Sequence, residues 1–218
     1  SRTYRQASAF DHSSFQVDPE NRWLWRMSKR RIEAEAMRDA MLSIAGQLDR
    51  TRPQGSLVGR VIGDKPIALV GLDKRLPKDL DGSHHRSVYL PVMRDRLPDV
   101  LEVFDFAEPS LVTGKRESTN VPTQALYLLN SPFVQQCAKA VADRVVQQSS
   151  SPQGRVIHAY HDILGRKPTD SEAEDALAFV SELQSTAAEG STTPIGESPA
   201  WSRLSQSLLI SNEFLFRE

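Results

Sequence analysis

At 218 residues the chain is long enough to bury a core as one large domain or two small ones, so neither a metal nor a disulfide is needed to hold it together. Hydrophobic residues at 39% and charged residues at 25%, with Lys+Arg 27 against Asp+Glu 28, give the balance of a soluble globular protein; the net charge of -1 offers no basic face of the kind a nucleic-acid binder uses. No apolar run approaches the roughly 20 residues of a membrane-spanning helix, and Cys137, the only cysteine, excludes an intrachain disulfide, a Cys-rich zinc site and a C-x-x-C-H haem attachment.

Asp18-Pro19 is a helix-start signal, because Asp can accept the free amides of a first turn and Pro loses no hydrogen bond there. Beyond it Trp23, Met27, Ala34, Met37, Met41, Ile44 and Leu48 keep one helical phase, interrupted at Arg30. This pattern predicts one long helix from Asp18 to Asp49 at the centre of a mainly α domain. Residues 51–85 change character, with Gly and Pro interrupting short apolar stretches. Residues 57–62 and 67–72 have the alternation of a hairpin, and Ser87 to Leu90 that of a short strand.

Leu97-Pro98 opens a short helix through Phe104, Pro122 starts another, and Ser131-Pro132 a third, on which Val134, Cys137, Ala138, Val141 and Val145 share a core face. Residues 147–154 are Ser-rich and read as a linker between lobes 1–148 and 155–218 of one domain spanning 1–218. In the second lobe Val156, Ile157, Tyr160 and Leu164 lead to Gly165. Thr169 with Glu172 forms a capping box for a helix through about Leu183, and Trp201, Leu204 and Leu208 mark the last helix. The fold expected is an irregular helical bundle with room for a small hairpin or short strands in 57–92. Opening on Ser1 without a leader, the chain reads as a piece of a longer protein.

Asp18-Pro-Glu-Asn-Arg with Arg30-Arg-Ile-Glu-Ala-Glu-Ala-Met-Arg-Asp, Arg86-Ser-Val-Tyr-Leu-Pro-Val, and Leu101-Glu-Val-Phe-Asp-Phe-Ala through Val121-Pro-Thr-Gln-Ala-Leu-Tyr-Leu-Leu-Asn-Ser-Pro-Phe resemble the planctomycete domain of unknown function called PSD one. Leu164-Gly-Arg-Lys-Pro-Thr and Ser211-Asn-Glu-Phe-Leu extend the resemblance over nearly the whole chain. It implies an extracytoplasmic setting, periplasmic or at the cell surface, in a larger protein with cytochrome c-like and other domains upstream. It brings no catalytic residues.

The residues themselves offer one cluster. Arg30 in the apolar seam, with Arg31, Glu35 and Arg38 one step aside, carries charge inward, and a charge placed there must be paired, hydrogen-bonded or reach water. One reading is an ion-pair network with Asp95, Asp99, Asp105 or Glu117; the other is an anion or sugar pocket. Arg94 belongs to the same candidate set. So do Arg116 and Asn120, on a polar run leading into the helix at Pro122, where free amides favour anionic or hydroxyl-rich ligands; a plain capping loop is the alternative. Glu33, Glu35 and Asp39 invite a glycosidase comparison, but acids on one helix do not face a sugar from opposite sides. His158 and His161, spaced i, i+3, are weak metal candidates without a third ligand.

With no complete catalytic constellation, the sequence favours a non-catalytic scaffold or binding module linked to polysaccharide handling, with no cofactor in this chain, over an enzyme. The alternatives are a glycan-directed hydrolase and a docking domain for a c-type cytochrome.

Overall fold

The computed structural model describes residues 2–3, 5–55, 83–92, 97–190 and 197–217. The expected hairpin at 57–72 and the candidate Arg94 lie outside them. The described residues are mainly helical: α1 (His12–Val17), α2 (Ala34–Ile44), α3 (Asp99–Val103), α4 (Pro122–Asn130), α5 (Pro132–Gln148), α6 (Pro152–Leu164), α7 (Asp170–Gly190), α8 (Glu197–Leu209) and α9 (Asn212–Leu215). One antiparallel pair joins β1 (Arg30–Arg31) to β2 (Phe216–Arg217), with Arg30 opposite Arg217 and Arg31 opposite Phe216.

The helix that organises the core is α5. It packs along α8 and also meets α2, α4 and α6. Its buried stripe is Val134, Cys137, Ala138, Val141, Ala142 and Val145, two helical steps of apolar residues repeated along 17 residues. Trp201 of α8 is 2% exposed and anchors that contact; fully burying such apolar side chains is worth roughly 1.5–3 kcal/mol each. Local chemistry sets the helix ends. Ser151 Oγ accepts the Gly154 amide at the start of α6, and Gly165, at φ 71°, closes it in the left-handed conformation that glycine adopts without strain. Thr169 and Glu172 exchange backbone bonds of 2.8 and 3.3 Å, the expected capping box, and α7 runs past Leu183 to Gly190. Ser149 to Ser151 join α5 to α6, and helices from both sides of this junction contribute to the same buried cluster.

The long helix expected from Asp18 to Asp49 is confined to Ala34–Ile44. Asp18 does accept backbone amides, but from Arg22 (2.9 Å) and Trp23 (2.8 Å), which folds residues 18–23 into a turn. Asn21 and Leu24 then sit at φ 54° and 55°, outside any helix. Asn21 Oδ1 accepts from the Arg26 amide at 3.2 Å, and the Trp25 indole donates to the Asp18 carbonyl at 2.8 Å. Side-chain bonds to nearby backbone have displaced the helical ladder. Trp23, placed on the core stripe by periodicity, is 75% exposed, whereas Ala34, Met37 and Met41 are buried as expected. Ser87 to Leu90 also differ from expectation. Ser87–Tyr89 form a 3-10 turn, and the only bridge in this region among the described residues links Asp49 to His85.

Candidate functional site

The β1–β2 pair fixes one wall of an open cleft. Arg30 and Arg31 stay extended because β2 pairs with them, and the Ile32 amide donates to the Leu215 carbonyl at 2.9 Å. Glu33 is still extended, and α2 begins at Ala34. The opposite wall starts where α3 ends. Asp105 takes φ 59°, a left-handed turn that Asp tolerates better than most residues, and reverses the chain between Phe104 and Phe106. Its carboxylate then secures the far end of the following loop, accepting from the Thr119 amide and hydroxyl, both at 2.8 Å. Gln124, 4% exposed, closes the arrangement by donating to the Val103 carbonyl (3.1 Å) and Thr119 Oγ1 (3.2 Å).

Between these walls lies a cleft of about 760 Å³. Among the described residues five cations line it: Lys29, Arg30, Arg31, Lys115 and Arg116. Three carboxylates share it, Glu33, Asp105 and Glu117, so its walls carry an excess of positive charge. Arg30, Arg31 and Glu33 also border a second recess of about 280 Å³ with Arg217.

Arg31 is the buried member, its side chain 7% exposed. Its Nη2 donates to Asp105 Oδ2 at 2.5 Å, and the guanidinium lies over the Phe104 ring, 5.2 Å from the centroid. Its Nε and Nη1 are buried, with no hydrogen-bond partner among the described residues. Burial opposes ionisation of Asp105, but the Thr119 bonds and the Arg31 charge outweigh it and hold this carboxyl below its ordinary value. Arg116 crosses the cleft to α2: its Nη1 is 2.8 Å from Glu35 and 3.5 Å from Glu33, and its guanidinium stacks 4.6 Å from the Phe106 centroid.

The structure thus brings Arg30, Arg31, Glu35 and Arg116 together, though not on a helical seam. Arg30 is exposed on a strand, because the helical phase that seemed to carry it inward does not run through residues 18–33. Of the acids considered as ion-pair partners, Asp105 is the one Arg31 takes. Asn120 is exposed and does not line the cleft.

Arg38 has gone elsewhere. Buried at 2% exposure, it donates to the carbonyls of His85 (2.9 Å) and Ser83 and to Ser87 Oγ (3.2 Å), over the Phe133 ring. Beside it Asp39 accepts from the Ser87 amide and hydroxyl at 2.7 and 2.6 Å. The two clamp the returning chain at 83–87 against α2. His161 meets Asp162 at 3.4 Å, and that carboxylate is already held by Arg144 at 3.0 Å; among the described residues no group of three or more potential metal ligands gathers. Burial pushes the Cys137 thiol up to about 12, so it serves as a small core hydrophobe.

Sequence reasoning misses Lys29, Phe104 and Phe216 as cleft residues. Phe104-Asp105-Phe106, an acid between aromatics just past a helix end, is a readable signal. Phe216 carries none, since a strand pairing across the whole chain brings it there.

No curated protein and no solved structure matches the chain. Residues 1–180 match the family described as PSD1, protein of unknown function (DUF1553), a span that holds both main walls of the cleft and leaves out β2. Covering well over half of the sequence, this match places the chain in the PSD1 family.

Proposed function

We propose that this domain is a non-catalytic binding module of a larger extracytoplasmic protein, and that it seats a segment of polysaccharide in the cleft between residues 29–34 and 104–118. The observation that carries the reading is the cleft itself: about 760 Å³, open, and walled by guanidinium, ammonium and carboxylate groups, among them the Arg31–Asp105 and Arg116–Glu33 pairs. Guanidinium and carboxylate groups present paired donors and paired acceptors that suit the hydroxyl pairs of a sugar. Glu33 and Glu35 both face Arg116, which weighs toward binding rather than glycoside hydrolysis, where two carboxyl groups must flank the scissile bond. The extracytoplasmic setting rests on the family resemblance and is tested by fractionating cells of the native host.

Affinity electrophoresis of the purified chain through gels containing a panel of polysaccharides tests the function. The expected result is retardation by at least one polymer, weakened in Arg116→Ala, with no reducing ends released on prolonged incubation. Retardation by none, or release of reducing ends that stops in Glu35→Gln, defeats the proposal.

A further inference from the structure

We infer that the cleft selects sugars bearing an oxyanion, a carboxylate or a sulfate ester, and that this group docks on Arg31; the inference rests on the polysaccharide reading above. A guanidinium 93% buried normally has all its nitrogens bonded, because an unmet buried donor forfeits its hydration without return. Arg31 breaks that rule on one side only. Asp105 and, at 3.5 Å, the Phe104 carbonyl hold Nη2, while Nε and Nη1 have no partner among the described residues.

Asp105 has little to add. It is shared with Thr119, whose amide and hydroxyl it accepts, and with Gln124 Nε2 at 3.5 Å. The Phe104 ring lies 5.2 Å from the guanidinium carbon and supplies no acceptor for the N–H groups. What the unmet nitrogens lack is an oxygen acceptor, and an anionic one answers both the hydrogen bonding and the charge.

Two further features favour an anion there. The lining carries five cations against three carboxylates, and of those three Glu33 faces Arg116 and Asp105 faces Arg31. The cleft also reaches Ala34, the first residue of the 11-residue α2, whose N-cap residue Glu33 makes no side-chain bond to the first-turn amides. The helix terminus adds positive potential at the same place.

Isothermal titration of the 218-residue chain at about 0.15 M salt tests this with two matched pairs: an oligogalacturonate against its methyl ester, and a sulfated galactan oligosaccharide against its desulfated form. We expect the charged member of one pair to bind at least about tenfold more tightly than its neutral twin; the pair that discriminates names the oxyanion. Arg31→Met should abolish the discrimination, bringing the affinity for the charged form down to that for its neutral twin. Arg31→Lys keeps the charge and loses the guanidinium nitrogens; discrimination must fall there too, which keeps the test readable if Arg31→Met does not fold. Equal binding of charged and neutral forms overturns the inference and leaves polysaccharide binding standing. Discrimination that survives in a folded Arg31 variant overturns it as well, and so does binding of none of the four; retardation on the wider polysaccharide panel then decides the polysaccharide reading separately.

Discussion

Two buried arginines seven residues apart, Arg31 and Arg38, differ in how their donors are used. Arg38 faces the chain returning at 83–87, and its guanidinium donates to two carbonyls and a hydroxyl. Arg31 faces an open cleft, with one nitrogen on Asp105 and two unmet. Both are buried cations, so burial alone does not distinguish them. The state of their donors does.

Breaking the clamp should cost most. Arg38→Met leaves the Ser83 and His85 carbonyls without their donor, and hydrogen bonds to charged groups are worth about 1.5–3 kcal/mol each. We expect about 3 kcal/mol of lost stability in urea unfolding. Asp105→Asn should come next, at about 2 kcal/mol, because it strips the buried Arg31 of its counter-charge and weakens the Thr119 bonds that secure the loop. Arg31→Met should cost less, about 1.5 kcal/mol: Asp105 loses its counter-charge but keeps the Thr119 bonds, and two unmet donors leave with the guanidinium. A loss for Arg31→Met as large as that for Arg38→Met would erase the distinction between the two sites.

The smallest effect concerns acid. Glu172, bonded by Arg166 and by the Thr169 amide, is held down to about 2 from an ordinary 4.5. A carboxyl depressed in the folded state contributes its full share above about 4.5 and loses it as pH falls toward 2. With Glu172 about one third exposed, the share is modest. Thermal melts between pH 5 and 2, compared for the natural chain and Glu172→Gln, should show a shallower acid limb in the variant; parallel limbs would remove Glu172 from the account.

Much of the helical fold was legible because its signals are local. Pro132 after Ser131, Thr169 with Glu172, and Gly165 each act within one turn, and each ends or begins a helix where chemistry requires. Asp18-Pro19 carries the same kind of signal and fails. Asp18 spends both carboxylate oxygens on Arg22 and Trp23, and Asn21 and Leu24 turn to positive φ, so the stripe begun at Trp23 never becomes a helix. A pattern of spacing says nothing about which nearby side chain will take the amides first.

The candidate site was legible to a similar degree. Arg31 and Glu35 stood out as charges beside an apolar seam and Arg116 as part of a polar run; Arg31 and Arg116 line the cleft, and Glu35 pairs with Arg116. The choice of Asp105 as partner, and the use of Arg38 for a different purpose, depend on contacts between residues 47 to 74 positions apart. No local rule fixes these.

The pairing of β1 with β2 gives the cleft a place in time as well as in space. Residues 30–31 wait for residues 216–217, and closing so large a loop brings its own entropy cost, which only the already packed helices between them make small. On the ribosome, Arg31 therefore emerges long before the strand that orders it. Until residues 216–217 arrive, the wall of the cleft that they pair with stays open-ended, so the cleft is completed by the C-terminal end of the described chain.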